Sequence, residues 1–142
     1  MRIQFFPGPD LEAKLNAEAA VQGVSVSILV VDALNRYYGL IGPNTKTEAQ
    51  LEREVLDEIA AHVSDPANAG TEFDLNAASI TYTQIDMSYA GKPKSLKARI
   101  GKTFAKEVGR PGRFSQVEQV LLSNGTPKRT VGNRAAVYRI VV

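Results

Sequence analysis

The first seven residues read as one short strand with no neighbouring strand to pair with. Ile3 and Phe5 fall on one side and Arg2, Gln4 and Phe6 on the other, and Pro7-Gly8-Pro9 ends the alternation. A solitary strand leaves its backbone donors and acceptors unsatisfied. A second copy of the same strand is the economical partner, giving a two-stranded antiparallel ribbon across a dimer axis with Ile3 and Phe5 facing a shared core. The chain is therefore expected to form a homodimer.

Two helices follow. Asp10 is expected to cap a helix from Leu11 to about Gln22, in which Leu11, Leu15 and Ala19 recur at a spacing of four and Gly23 follows the C-terminus. Ser25 or Ser27 opens a second helix that runs to about Tyr38 and closes at Gly39. Arg2-Ile3-Gln4-Phe5, Leu11 and Leu15, the step Gly23-Val24-Ser25-Val26-Ser27, Ala33-Leu34 and the Tyr37-Tyr38 ending together resemble the ribbon-helix-helix family of bacterial and phage repressors and antitoxins. The resemblance covers roughly residues 1–40 and implies an intertwined dimer. It implies further that Arg2, Gln4 and Phe6 read base edges, and that the amides and hydroxyls of Ser25 and Ser27 anchor a phosphate. Physical chemistry supports both roles: a two-stranded ribbon fits the major groove, and the free N–H groups of a helix start favour a phosphate. Phe6 stands where that family usually carries a polar residue, and either meets a thymine methyl or packs against protein. Residues 1–40 hold 3 Lys/Arg against 4 Asp/Glu, so a dimerisation module that does not touch DNA is the competing reading.

Ile41-Gly42-Pro43-Asn44 breaks the chain, and residues 41–46 read as a linker between a domain over 1–40 and a second over 47–142. From Thr47 an amphipathic helix runs through Leu51, Val55, Ile59 and Val63. A loop at 64–70, a short strand from Thr71 to Leu75 and a short helix within Thr81–Tyr89 precede a helix from Ser95 to Val108. Two strands, about Phe114–Leu122 and Ala135–Val142, end the chain, joined by a loop containing Gly125, Pro127, Lys128, Arg129, Gly132 and Asn133. The fold class expected is α+β.

The formal net charge of +2 conceals an asymmetry: residues 1–89 sum to −8 and residues 90–142 to +10. A basic segment this rich in apolar residues has the profile of a nucleic-acid surface. On the 95–108 helix, Leu96, Ile100, Phe104 and Val108 share one side while Arg99, Lys102 and Lys106 lie together on another. Helix, strand, short helix, basic helix, strand, basic loop and strand is the order of a winged helix-turn-helix, with Lys128, Arg129 and Arg134 as the wing. Gly101-Lys102-Thr103-Phe104-Ala105-Lys106-Glu107-Val108 and Asn133-Arg134-Ala135-Ala136-Val137-Tyr138 also resemble the motifs of a family of small, largely uncharacterised bacterial domains, with one extra residue before the tyrosine. That resemblance implies a winged-helix shape rather than an activity. The competing reading is a set of solubilising charges on a helix that covers a β-hairpin.

Several chemistries are excluded. Without cysteine there is no disulfide framework, no cysteine-held zinc and no thiol nucleophile. His62 is the sole histidine, so one chain cannot supply a histidine metal pair. Gly101-Lys102-Thr103 imitates the end of a phosphate-binding loop, but Leu96 occupies the position of its first glycine. Glu52, Glu54, Asp57 and Glu58 read as a solvated helix face. The longest apolar run, Ile28 to Val31, is far short of the roughly 20 residues that span a bilayer, and no signal core opens the chain. A cytoplasmic protein with no membrane, metal or cofactor is expected.

These observations predict a sequence-specific double-stranded DNA-binding regulator of repressor type, not an enzyme. The alternative is an antitoxin-like or adaptor protein whose C-terminal domain binds a protein partner such as a toxin. The basic, folded character of that domain distinguishes it from the short, often acidic tails of family antitoxins.

Overall fold

The computed structural model describes residues 2–41, 45–89, 91–132 and 134–142. Residues 42–44 of the expected linker and Asn133 of the expected C-terminal motif lie outside these. The described residues form an α+β protein with seven helices and one three-stranded antiparallel sheet. The chain divides into two compact units, Met1–Arg53 and Glu54–Val142. The division falls within a helix rather than in the expected linker at 41–46.

In the first unit, α1 spans Pro9–Gln22 and α2 spans Val26–Tyr37. Pro9 starts α1 because its fixed φ suits the first helical position and its missing N–H costs nothing there. Gly8, not Asp10, is at the N-cap, and Asp10 lies inside the first turn, where its charge still suits the helix dipole. Gly23 adopts a left-handed φ of 70° and its N–H bonds back to the carbonyl of Ala19, closing α1. Ser25 caps α2 as expected, its Oγ accepting the N–H of Ile28 at 3.2 Å. The segment from Arg2 to Gly8 carries no regular secondary structure. The strand expected there is not formed within one chain, which offers it no second strand.

The third helix, α3, spans Glu48–Ser64. Thr47 and Gln50 form a reciprocal cap at its start: the Gln50 N–H reaches the Thr47 hydroxyl at 3.1 Å, and the Thr47 N–H reaches the Gln50 side-chain oxygen at 2.9 Å. Its acidic residues are not one solvated face. Glu52 is buried. Glu58 accepts bonds from the Ser79 hydroxyl at 3.1 Å and from the Thr81 N–H at 3.0 Å, and a further one from the Thr81 hydroxyl. Burial pushes the Glu58 carboxyl up, but these bonds outweigh it and hold the group below the ordinary carboxylate value.

In the second unit a turn of 3₁₀ helix at Pro66–Asn68 leads to β1, Glu72–Phe73. Three single helical turns follow: α4 at Leu75–Ala78, α5 at Ile80–Thr83 and α6 at Ile85–Ser88. The long helix α7 spans Pro93–Glu107. It starts two residues before the expected cap, Ser95, again because proline suits the first turn. Strands β2, Val117–Gln119, and β3, Tyr138–Ile140, complete a sheet of order β1-β3-β2, with Phe73 opposite Tyr138 and Glu118 opposite Arg139.

The core of this unit is aromatic. Phe104 on α7 sits edge-on to Tyr138 at 4.8 Å and to Phe114 at 4.9 Å, and Phe73 lies 5.9 Å from Tyr138. Leu96 and Ile100 are buried on the same stripe as Phe104, as their spacing predicts. Because that stripe faces the core, the opposite sides of α7 carry its cations outward. No single helix among the described residues is long and apolar enough to cross a membrane.

Candidate nucleic-acid interface

Between β2 and β3 the chain folds into two tight turns rather than one open loop. Leu122 N–H bonds to the Thr126 carbonyl at 2.7 Å, which closes the first turn. Thr130 N–H bonds to the Ala135 carbonyl at 2.9 Å, and bridges join Leu121 to Pro127 and Arg129 to Ala136. The second turn sets Arg129 and Arg134 side by side, and the Arg129 guanidinium donates to the Arg134 carbonyl at 3.1 Å. Arg134 takes a φ of 54°, a left-handed conformation that non-glycine residues seldom adopt.

This turn and α7 form the walls of an open cleft of about 820 Å³. Lys94, Lys97 and Lys102 line it from α7, and Arg129 and Arg134 from the turn. Ala98, Gly101 and Ala105 lie between the lysines, and Asn76, Tyr82, Gln119 and Tyr138 supply polar groups around them. None of its lining residues is acidic. Lys97 is compensated by Asp86 at 3.0 Å and lies 5.6 Å from the centre of the Tyr82 ring. Burial raises the Tyr82 and Tyr138 hydroxyls above the ordinary tyrosine value, so both are neutral hydrogen-bonding groups near pH 7.

Comparison of the chain with protein-family models, with curated proteins and with solved structures finds no match.

The cleft gathers part of the basic set that the sequence singles out. Lys102, Arg129 and Arg134 meet there. Arg99 and Lys106 are exposed on another side of α7 and do not line it. Lys128 is drawn into an ion pair with Glu72 at 2.8 Å, and Glu72 also takes Arg139 at 3.4 Å. Its charge is therefore largely balanced by the protein. Lys94 precedes the helix start expected at Ser95, so no wheel of that helix includes it, and Lys97 lies across the Ala98-Gly101-Ala105 strip from Lys102, away from the basic side that Arg99, Lys102 and Lys106 share. Tyr82 lies in a segment whose periodicity fits helix and strand alike, and nothing local marks it.

In the first unit, Arg2, Gln4 and Phe6 are exposed, Phe6 at 93%. Ser27 is exposed in the first turn of α2, while the Ser25 hydroxyl is engaged in the cap. The amides of that first turn have no intrahelical acceptor, as at any helix start.

Proposed function

We propose that this protein is a homodimeric regulator that binds double-stranded DNA, with a ribbon-helix-helix module over residues 1–40 and a winged-helix-like basic domain behind it. The observation that carries the reading is the acid-free cleft between α7 and the Arg129–Arg134 turn, with five cations on its walls. Asp86 balances Lys97, but the other four cations repel one another, and a phosphate backbone is the polyanion that offsets them over an extended surface. The order of elements in the second unit, with β3 central in the sheet, also accords with a winged helix, α7 being the groove helix and the second turn the wing.

For the first unit, the support is apolar surface. Ile3, Phe5, Leu11, Val31 and Leu34 are all exposed in the single chain, Ile3 at 74%. A second copy pairing along residues 2–6 would cover them and give the strand its missing partner. The role assigned to both units is binding, not catalysis.

Titration of labelled duplex DNA with the full chain at several salt concentrations tests the reading, followed by selection of bound fragments from a random pool. The expected result is saturable binding that weakens steeply with salt and enriches one motif. Absence of duplex binding at low salt overturns it.

A further inference from the structure

Cations alone do not account for the cleft. Lys94, Lys102, Arg134, Gln119 and Tyr138 line it, and none of these five side chains makes a hydrogen bond or an ion pair with another described residue. Four of these side chains are exposed to solvent and only Tyr138 is buried, so all five are free to take a ligand in exchange for water, and an open volume of about 820 Å³ accommodates a small molecule. Gly101 adds an independent sign. It sits inside α7, where glycine destabilises a helix relative to alanine, and no positive φ requires it there. A Cβ added at Gly101 would meet nothing within 4 Å, so packing within the protein does not require it either. Its bare backbone opens onto the cleft, where a ligand can approach closely.

We infer that the cleft binds a nucleotide, a polyphosphate joined to a flat polar base, and that the bound nucleotide competes with DNA for the same face. The phosphates face Lys94, Lys102 and Arg134. The base lies over Gly101 within reach of the Gln119 amide, a side chain whose donor and acceptor match a base edge, and of the Tyr138 hydroxyl. A sugar phosphate carries too little charge to balance the lysines and arginines. Inorganic polyphosphate leaves the amide and hydroxyl unused. The competition rests on the DNA-binding reading; the nucleotide site itself does not.

Calorimetric titration of the full chain with each of the four common ribonucleoside triphosphates, and with inorganic tripolyphosphate as the charge-matched probe, tests the inference. At least one triphosphate should bind one per chain and tenfold or more tighter than tripolyphosphate. Gly101→Leu, which keeps every cation and favours the helix, should remove that tenfold advantage. Lys102→Ala should weaken both probes, while Arg110→Ala, a similar charge loss outside the cleft, should change neither. A ratio below tenfold for all four triphosphates, or an advantage that survives Gly101→Leu, overturns the site. Duplex DNA is then titrated with and without the tightest triphosphate. Nucleotide binding without duplex binding leaves this site standing and removes the DNA reading. Duplex binding with no selective nucleotide binding does the reverse, and both without displacement overturns the competition.

Discussion

Asp32 on α2 grips Ala49 at the start of α3. Its Oδ2 accepts the Ala49 N–H at 2.9 Å, and its Oδ1 accepts the Glu48 N–H at 3.2 Å. Two of the amides that a helix start leaves orphaned are thereby satisfied by a side chain 16 or 17 residues earlier, which ties α3 to α2 within the first unit. Asp32→Ala leaves both amides without an acceptor beside buried Thr47 and Glu48. The expected loss is about 1–2 kcal/mol, the range of a lost helix cap. Hydrogen exchange at Glu48 and Ala49 checks it, with protection falling roughly 5- to 30-fold. Unchanged protection at both amides would show that the contact carries no stability.

The same carboxyl gives a pH dependence of defined sign. Burial raises Asp32 above its ordinary value of 3.8, overcoming the two backbone bonds that lower it, and the charge of Glu48 adds to the rise. A carboxyl raised in the fold contributes stability that is complete below its unfolded value and is lost as pH rises through its folded one. Asp32→Asn removes the titration while keeping a side-chain oxygen for one of the two amides. Melting curves of both proteins should therefore differ in a pH-dependent way, the native chain losing ground from pH 3.8 up to its raised value. A difference constant across that range refutes the assignment.

Some of this was legible in the sequence for direct physical reasons. The spacing of Leu96, Ile100 and Phe104 specifies the buried side of α7, and Gly23 followed by Ser25 specifies the break between α1 and α2. The Thr47-Glu48-Ala49-Gln50 pattern is likewise a local capping-box signal, and it specifies the start of α3. Other features have no local signature. Asp32 reads as one polar residue in a helix, and its partners are chosen by the packing of α3. The cleft joins residues from Asn76 to Tyr138, and only the folded turn between β2 and β3 decides that Arg129 and Arg134 face it while Lys128 turns to Glu72.

The exposed apolar side chains of the first unit predict association. Light scattering at micromolar concentration should give twice the mass of one chain. Phe5→Ala, which removes a shared-core side chain under this reading, should shift the equilibrium toward monomer. A protein that stays monomeric up to high concentration would leave the ribbon without its second strand.

Salt dependence separates phosphate contacts from solubilising charge. Each lost contact should lower the slope of log affinity against log salt by about 1. Lys102→Ala, Arg129→Ala and Arg134→Ala should each do so. Lys128→Ala should do less, because Glu72 already balances that ammonium at 2.8 Å. Lys106 and Arg99 lie outside the cleft, and a slope that responds to them and not to Lys102 would move the interface to the other side of α7.

Base reading is tested at Arg2 and Gln4. Arginine donates two hydrogen bonds to guanine and glutamine pairs with adenine, so a good contact discriminates between bases by roughly 1–3 kcal/mol. Both side chains are exposed in the single chain and alternate with Ile3 and Phe5, so Arg2→Ala and Gln4→Ala should leave dimerisation and melting nearly unchanged. Their effect should fall on preference rather than on general affinity. Binding of each variant to a selected site and to scrambled DNA at one salt concentration makes the comparison. If the cleft alone read sequence, both variants would keep the full preference for the selected site. A preference that falls about 5- to 150-fold for either variant, with binding to scrambled DNA little altered, would place the readers on the ribbon and leave the cleft to phosphate.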